Sequence, residues 1–227
     1  MTENGKGKRM EVAKEALRYL GAGRNAPEEL RRETAELLSE LRKTVRPRYV
    51  YRPFPLRRED ANFILDGASV TLRGHSVGVM LDECAAAVLL LCTLGAEFER
   101  KLRAMQARDM SKAVILDACG SALVEEGCDE AERELSTRFP GRFLTDRFSP
   151  GYGDVPLSLQ ADICGLLDAS RRLGVHVTDS MTLNPCKSVT AIIGLADRPQ
   201  RARIRGCAYC AMRETCALRK SGASCQL

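Results

Sequence analysis

The sequence is poor in aromatic residues, which make up 5% of its 227 residues, and it contains no tryptophan. Proteins that bind single-stranded nucleic acid commonly stack the bases on aromatic side chains. The net charge of +5 is modest, and the basic residues are spread along the chain instead of forming one long tract. Such a surface fits plain solvation or contact with an acidic protein. We therefore expect no nucleic-acid partner.

The sequence also lacks a membrane-directing segment. Residues 1–10 are polar, and no apolar segment of the signal-peptide type follows them. The apolar run over residues 85–94 is too short to cross a bilayer and predicts buried core. We therefore expect a cytoplasmic protein with no membrane partner. In that compartment the ten cysteines should stay reduced, so their number does not indicate a disulfide framework.

Hydrophobic periodicity and turn residues predict helices interrupted by strands. The predicted helices cover residues 11–20, 27–44, 76–83, 97–107, 110–138 and 159–173, with Ser76 as the N-cap of the third. The predicted strands cover residues 49–54, 63–65, 70–72, 86–93, 143–148, 174–178 and 189–195, although periodicity does not separate 86–93 from a helix. Because strands return after irregular numbers of helices, we predict an α+β fold with a mostly antiparallel sheet. The expected divisions are an N-terminal helical arm (1–46), an α+β core (47–200) and a four-cysteine tail (201–227).

Residues 147–156, with the sequence RFSPGYGDVP, combine a cation, a turn and an aromatic ring. Proline fixes φ, and the two glycines let the backbone approach a ligand closely. Arg147 and Tyr152 would then be presented with little conformational freedom, which suits a small anionic ligand. A Pro-Gly pair is also common in turns that only connect two elements.

Residues 177–189, with the sequence VTDSMTLNPCKSV, carry a second pattern after a predicted helix. Together the two segments resemble the activation domain of cobalamin-dependent methionine synthase. That family carries an Arg-x-x-x-Gly-Tyr-x-x-x-Pro turn, then a helix, then a Thr-acid-Ser strand start that leads to Pro-x-x-Ser-Val. The sequence matches each of these pieces in order, and the resemblance runs over about two thirds of the chain. Its helical arm and residues 47–56 resemble the free-standing versions, in which no catalytic modules of methionine synthase are attached.

The resemblance implies a twisted, mostly antiparallel sheet with helices around it. It also implies binding of S-adenosylmethionine. The role of the family is to methylate a cobalamin that has been oxidised to the inactive cob(II)alamin state and is then reduced by one electron. Cobalamin, carried by a partner protein, is therefore the second cofactor that the resemblance implies, and the protein would position these cofactors while they supply the chemistry.

Carried over by position, the resemblance assigns four ligand contacts to the first segment. Arg147 would hold the methionine carboxylate through charge-assisted hydrogen bonds. Ser149 and Gly151 would bring their backbone to the ligand. Tyr152 would pack on the ligand and present its hydroxyl towards the cobalamin, as the catalytic residue. Because a surface turn contributes little to a core, Arg147→Ala is expected to remove ligand binding without unfolding the domain.

Three further residues complete the implied site. Glu125, on the helix before the turn, would pair with the ammonium of the ligand or lie near its sulfonium. Glu126 points about a quarter turn away, so one acid should face the core or the site and the other should face solvent. Thr178 and Ser180 would orient the ligand or only end a strand. Fused members of the family have a further acidic contact in a Tyr-x-Asp-Trp type of segment, which this sequence lacks.

The end of the sequence carries Cys207, Cys210, Cys216 and Cys225 in a C-x2-C-x5-C-x8-C spacing among basic residues. Four thiols this close predict metal binding, and nearby cations stabilise thiolates. Zinc and a [4Fe-4S] cluster both accept four cysteines. We favour the cluster, because reductive activation needs a one-electron donor. The other cysteines are predicted to be structural: Cys84, Cys92, Cys119, Cys128, Cys164 and Cys186.

Three functions are compatible with these patterns. The first is an activation subunit that acts on a separate cobalamin-dependent methionine synthase, with a flavodoxin-like or ferredoxin-like electron donor. Such a subunit would complete a methyltransferase and would not turn over alone. The second is a reductive activator of another corrinoid methyltransferase protein, which uses a C-terminal iron–sulfur cluster. The third is a non-catalytic module that binds a corrinoid protein and has a structural zinc tail.

Overall fold

The computed structural model describes residues 3–60, 62–199, 214–215 and 220. Helices and strands are numbered here in chain order. The helices are α1 (Glu3–Tyr19), α2 (Glu28–Thr44), α3 (His75–Leu81), α4 (Gly95–Gln106), α5 (Met110–Arg138), α6 (Leu159–Leu166) and α7 (Ala169–Leu173). The strands are β1 (Arg48–Glu59), β2 (Asn62–Leu65), β3 (Thr71–Leu72), β4 (Cys84–Thr93), β5 (Phe143–Leu144), β6 (His176–Val177), β7 (Leu183–Asn184) and β8 (Ser188–Ala196).

The chain divides into two compact units. The first unit comprises Met1–Tyr49, Cys92–Glu130 and Ser170–Val189. The second unit comprises Val50–Leu91, Ala131–Ala169 and Thr190–Leu227. Each unit is therefore assembled from segments that lie far apart in the sequence.

The first unit is mainly helical. The buried side chains of α2 are Thr34, Leu38 and Leu41, whose spacing places them on one face of the helix. The Thr34 hydroxyl donates to a main-chain carbonyl one turn earlier at 2.7 Å, which satisfies this buried polar group. At Gly120 in α5, a Cβ would lie 2.2 Å from the Phe98 ring of α4. Glycine at this position therefore lets the ring pack directly against the backbone of α5.

The six-stranded sheet has the strand order β3-β2-β1-β4-β8-β5. Strands β1 and β2 are antiparallel, with Leu56 opposite Leu65, and β2 and β3 are antiparallel, with Phe63 opposite Leu72. Strands β5 and β8 also pair antiparallel. An Asp-Gly pair between two strand-like runs predicts a tight hairpin turn, and Asp66 and Gly67 lie in the connection between β2 and β3, where Gly67 has a φ of 77°. The predicted α+β fold with a mostly antiparallel sheet is confirmed.

Residues 86–93, whose periodicity does not separate a strand from a helix, lie in strand β4. Its residues 88–92 are fully buried. A strand that is covered on both faces does not alternate between apolar and polar residues, which explains the continuous apolar run. No helix in the described ranges is long and apolar enough to span a membrane.

Three local predictions are wrong. The predicted helix 159–173 is interrupted at Asp168, which has a φ of 53°, and forms α6 and α7 instead. Helix α3 begins directly after Gly74, so Ser76 lies inside the helix and is not its N-cap. The predicted strand 143–148 is reduced to β5 and a single bridge between Phe148 and Ile192.

The cysteines of the described ranges are mostly withdrawn from water. Cys92, Cys119, Cys128 and Cys164 are buried, Cys84 is half-buried and Cys186 is exposed. Burial raises the pKa of the Cys119 thiol to about 12 and that of the Cys164 thiol to about 11. These two thiols therefore stay protonated at neutral pH and behave as small apolar side chains.

Candidate functional site

Residues 147–156 form a tight turn in the second unit. The main-chain N–H of Tyr152 donates to the carbonyl of Ser149 at 3.2 Å, and that of Val155 donates to the carbonyl of Tyr152 at 3.1 Å. The N–H of Gly151 donates to the carbonyl of Val155 at 3.0 Å and closes the loop. Gly151 and Gly153 have φ values of 86° and 56°, a region that favours glycine. The turn therefore holds the Tyr152 backbone in one conformation.

Two contacts attach this turn to other elements of the unit. Phe148 and Ile192 exchange main-chain hydrogen bonds of 2.9 and 2.8 Å, so the turn begins beside strand β8. Near its other end, the Asp154 carboxylate accepts hydrogen bonds from the main-chain N–H of His75 and, at 3.0 Å, from that of Ser76. Asp154 therefore caps α3, which is the role that the sequence pattern assigns to Ser76.

The hydrogen bonds of this cap favour the ionised form of Asp154. A hydrogen bond from the Ser76 side chain, together with the main-chain N–H groups, holds the pKa of Asp154 below its ordinary value. A Cβ at Gly74 would lie 3.2 Å from the main-chain oxygen of Asp154, and a Cβ at Gly153 would lie 3.0 Å from Oγ of Ser76. The two glycines thus permit close contact between the turn and α3.

Tyr152 is strongly exposed, since 69% of the residue is accessible to solvent. Leu157, which is also exposed, lies close to Gly151 of the turn. Its Cδ1 is 3.1 Å from the position that a Cβ on Gly151 would take. An exposed tyrosine on a fixed backbone can pack on a ligand or on a partner protein and present its hydroxyl there.

Arg147, in contrast, is largely buried. Its side chain is 9% exposed, and its Nη1 donates to Oε1 of Glu132 on α5 at 2.6 Å. The Glu132 side chain is 28% exposed. A hydrogen bond between two charged groups at this distance is strong. The expectation that Arg147 belongs to a surface turn of little structural weight is therefore wrong, and its acidic partner was not predicted from the sequence.

Thr178 and Ser180 lie in the first unit, in the turn between β6 and β7. Oγ1 of Thr178 lies 3.0 Å from Oγ of Ser180 and 2.7 Å from Oγ1 of Thr182. The N–H of Thr178 donates to the carbonyl of Thr182 at 2.9 Å, and Met181 between them has a φ of 60°. The structure therefore brings the two predicted hydroxyls together and adds a third. Their mutual hydrogen bonds stabilise the turn, and contact with a ligand stays a prediction.

The adjacent acids of α5 lie in the first unit and differ in burial. Glu126 is 6% exposed, and its Oε2 lies 2.6 Å from Nη2 of Arg42 on α2. Glu125 is half-buried. The acid that faces the core is therefore Glu126, and its cationic partner explains why a carboxylate is tolerated there. The contact between Glu125 and a ligand stays a prediction.

The Pro-x-x-Ser-Val motif is held by contacts in the same unit. Oγ of Ser188 lies 2.6 Å from the carbonyl oxygen of Pro185 and 2.7 Å from the hydroxyl of Thr93. Nζ of Lys187 donates to the carboxylate of Asp117 at 2.9 Å. The partners from β4 and α5 are 95 and 70 positions away in the sequence, so a local pattern could not reveal them.

The predicted metal ligands Cys207, Cys210, Cys216 and Cys225 lie outside the described residues. Within the described residues, no group of three or more histidine, cysteine, aspartate or glutamate side chains is arranged to hold a metal ion. The metal site in the tail therefore stays a prediction.

Comparison with known proteins reveals a likeness in fold. No protein-family model matches the chain, and no curated protein matches it. Among solved structures, the chain is similar to the MetH reactivation domain bound to AdoHcy, with a TM-score of 0.60 and 16% sequence identity. The match covers 87% of this chain and 73% of that one. It shows that the chain has an activation-domain-like fold, as the sequence predicts.

Proposed function

We propose that this protein is an activation subunit that binds S-adenosylmethionine. It would support reductive methylation of cob(II)alamin on a separate cobalamin-dependent methionine synthase in the cytoplasm. The observation that carries the proposal is the turn 147–156 on an activation-domain-like fold, with Arg147 and Tyr152 on a fixed backbone. AdoHcy, which is bound to the solved MetH domain, is S-adenosylmethionine without its transferable methyl group.

The residues of the turn fit the chemistry of this ligand. The ligand carries a carboxylate, which a guanidinium such as that of Arg147 binds through paired hydrogen bonds. Ser149 and Gly151 would contribute backbone groups, and the exposed ring of Tyr152 would pack on the ligand and face the cobalamin partner. The ligand contacts that the resemblance assigns to Glu125, Thr178 and Ser180 stay predictions.

The reaction joins three components. A one-electron donor of the flavodoxin or ferredoxin type would reduce the cob(II)alamin on the partner. The methyl group would then pass from the sulfonium of S-adenosylmethionine to the reduced cobalamin, leaving S-adenosylhomocysteine as the product. The protein would bind and orient the methyl donor and would exclude water from it. The four-cysteine tail, loaded with an iron–sulfur cluster, would relay the electron.

A second function is favoured by two features of the sequence, the missing Tyr-x-Asp-Trp type of segment and the four-cysteine tail. In it, the protein would be a reductive activator of another corrinoid methyltransferase protein, with the cluster as its main chemistry. If neither S-adenosylmethionine nor iron is bound, a non-catalytic corrinoid-binding module with a zinc tail becomes the better assignment.

Calorimetric titration of anaerobically purified protein with S-adenosylmethionine tests the proposal. Tyr152→Ala is the informative variant, because an exposed side chain can be removed without disturbing the core. Phe143→Ala is its matched control, since Phe143 is also an exposed aromatic residue of the second unit and lies outside the turn. Binding by the wild type and by Phe143→Ala, with weaker binding by Tyr152→Ala, is expected. If the wild type binds neither this ligand nor S-adenosylhomocysteine, the proposal is wrong.

A further inference from the structure

We infer that Glu132 is a positioning residue for Arg147, and that ligand affinity at the turn depends on this acid. The inference rests on the proposed function, because it concerns the residue that would bind the ligand carboxylate. Glu132 does not belong to either sequence pattern that suggests a ligand site. It is 15 residues before Arg147 in the chain and reaches it from helix α5.

The geometry of the pair sets the orientation of the guanidinium. A guanidinium presents five N–H donors in a rigid planar fork, so a strong hydrogen bond at one nitrogen restricts the plane of the whole group. Oε1 of Glu132 accepts from Nη1 of Arg147 at 2.6 Å. Arg147 itself lies in the turn that starts beside β8, so its backbone is fixed independently of Glu132. The carboxylate therefore acts on the side chain and leaves the turn's backbone in place.

Burial explains why the orientation depends on an acid. Only 9% of the Arg147 side chain is exposed, so water can replace a lost partner poorly. A buried cation that loses one of its partners is disfavoured in that position and turns towards its remaining acceptors or towards solvent. Without Glu132, the guanidinium would therefore be held less firmly in its present orientation, and a ligand carboxylate would have to restore that orientation. Loss of orientation lowers affinity even when the binding residue is present.

A neighbouring acid on the same helix provides a matched control. Glu134 lies two residues from Glu132 on α5, is exposed, and accepts a hydrogen bond from the Tyr51 hydroxyl at 2.6 Å. Its removal changes the net charge of the protein as much as removal of Glu132 does. Any general electrostatic effect on an anionic group of the ligand should therefore appear equally in Glu132→Ala and Glu134→Ala.

The experiment combines ligand binding with a direct view of the guanidinium. Calorimetric titration with S-adenosylhomocysteine compares the wild type with Glu132→Ala, Glu132→Gln and Glu134→Ala. We expect Glu132→Ala to weaken binding about tenfold, which corresponds to about 1.4 kcal/mol. Glu132→Gln should recover part of the loss, because an amide oxygen still accepts from Nη1. Glu134→Ala should bind like the wild type.

Nitrogen-15 NMR of the arginine side chains, recorded without ligand, reports on the pair itself. In the wild type, rotation of the Arg147 guanidinium should be slow, and in Glu132→Ala it should be faster than in the wild type. A purely structural role of Glu132 would lower the melting temperature but leave the affinity of the folded protein unchanged. If Glu132→Ala does not fold, the Gln variant and the NMR signal of Arg147 decide the question.

The outcomes separate this inference from the function on which it rests. If the wild type binds neither S-adenosylmethionine nor S-adenosylhomocysteine, the proposed function fails and the inference fails with it. If the wild type binds and the Glu132 variants bind equally tightly, only the inference is wrong. Equal weakening in Glu132→Ala and Glu134→Ala would also overturn it, because the effect would then not depend on the hydrogen bond between Glu132 and Arg147.

Discussion

Replacing Asp154 tests whether the hydrogen bonds between the turn 147–156 and helix α3 stabilise the fold. Asp154→Ala removes the acceptor for the main-chain N–H groups of His75 and Ser76. Side chains that cap helices in this way contribute about 0.5–2 kcal/mol. Because Asp154 is exposed, solvent screening favours the lower half of that range. We therefore expect Asp154→Ala to lower the free energy of unfolding by about 1 kcal/mol.

The effect should depend on pH with a defined sign. The pKa of Asp154 is lower in the folded protein than in the unfolded chain. Its stabilisation is therefore fully present above the unfolded pKa of about 3.9 and is lost as the pH falls through the folded pKa. Asp154→Asn does not titrate. The difference in free energy of unfolding between the wild type and Asp154→Asn should be largest at neutral pH and should shrink below about pH 4.

Urea denaturation followed by circular dichroism measures both quantities. With a slope of about 2 kcal/mol per molar urea, a loss of about 1 kcal/mol lowers the midpoint by about 0.5 M. If Asp154→Ala unfolds at the same urea concentration as the wild type, the cap does not stabilise the fold. If the wild type and Asp154→Asn differ equally at neutral and at acidic pH, the charge of the carboxylate is not what the cap uses.

Three further predictions address packing, a buried ion pair and the tail. Gly120→Ala should lower the free energy of unfolding by about 1–3 kcal/mol, because the added Cβ would meet the buried Phe98 ring. Gly165→Ala should instead raise the free energy of unfolding by about 0.5–1 kcal/mol, because the position of its Cβ has no neighbouring atom within 4 Å. Equal effects in urea denaturation would contradict the packing argument. Glu126→Ala should cost about 3 kcal/mol, since Arg42 then loses its counter-charge, and a loss below about 1 kcal/mol would place the pair in contact with water. Anaerobically purified protein should be coloured and contain iron by elemental analysis, whereas a colourless protein with stoichiometric zinc would rule out the electron relay.

The sequence predicts the fold well because its signals are local. The spacing of apolar residues in α2 and the Asp-Gly turn before β3 act over a few residues, and both are found as predicted. Local signals do not suffice to predict strand β4. Its apolar run has no period, because both faces are covered by other elements, and only the tertiary arrangement decides between strand and helix. The break at Asp168 has the same origin, since the apolar pattern continues across it into α7.

The candidate site was predictable only in part, for a related reason. Turn chemistry identifies residues 147–156, because proline and glycine constrain the backbone through their own geometry. Charge partners are different, since an acid on a helix carries no sign of what it faces. Glu126 and Glu125 are neighbours in sequence, yet only the position of Arg42 on another helix makes Glu126 the buried one. Asp154 caps a helix that begins 79 residues before it.

The burial of Arg147 changes how the Arg147→Ala variant is interpreted. As a residue of a surface turn, it could be replaced by alanine with no effect on folding. With a side chain that is 9% exposed and paired with Glu132, alanine instead removes packing and leaves a carboxylate without its cation. Loss of binding in Arg147→Ala would then have two explanations, a missing ligand contact or a disturbed turn. Arg147→Lys keeps the charge and most of the stem but not the planar fork, so a loss of affinity at unchanged stability in that variant identifies the guanidinium as the ligand-binding group.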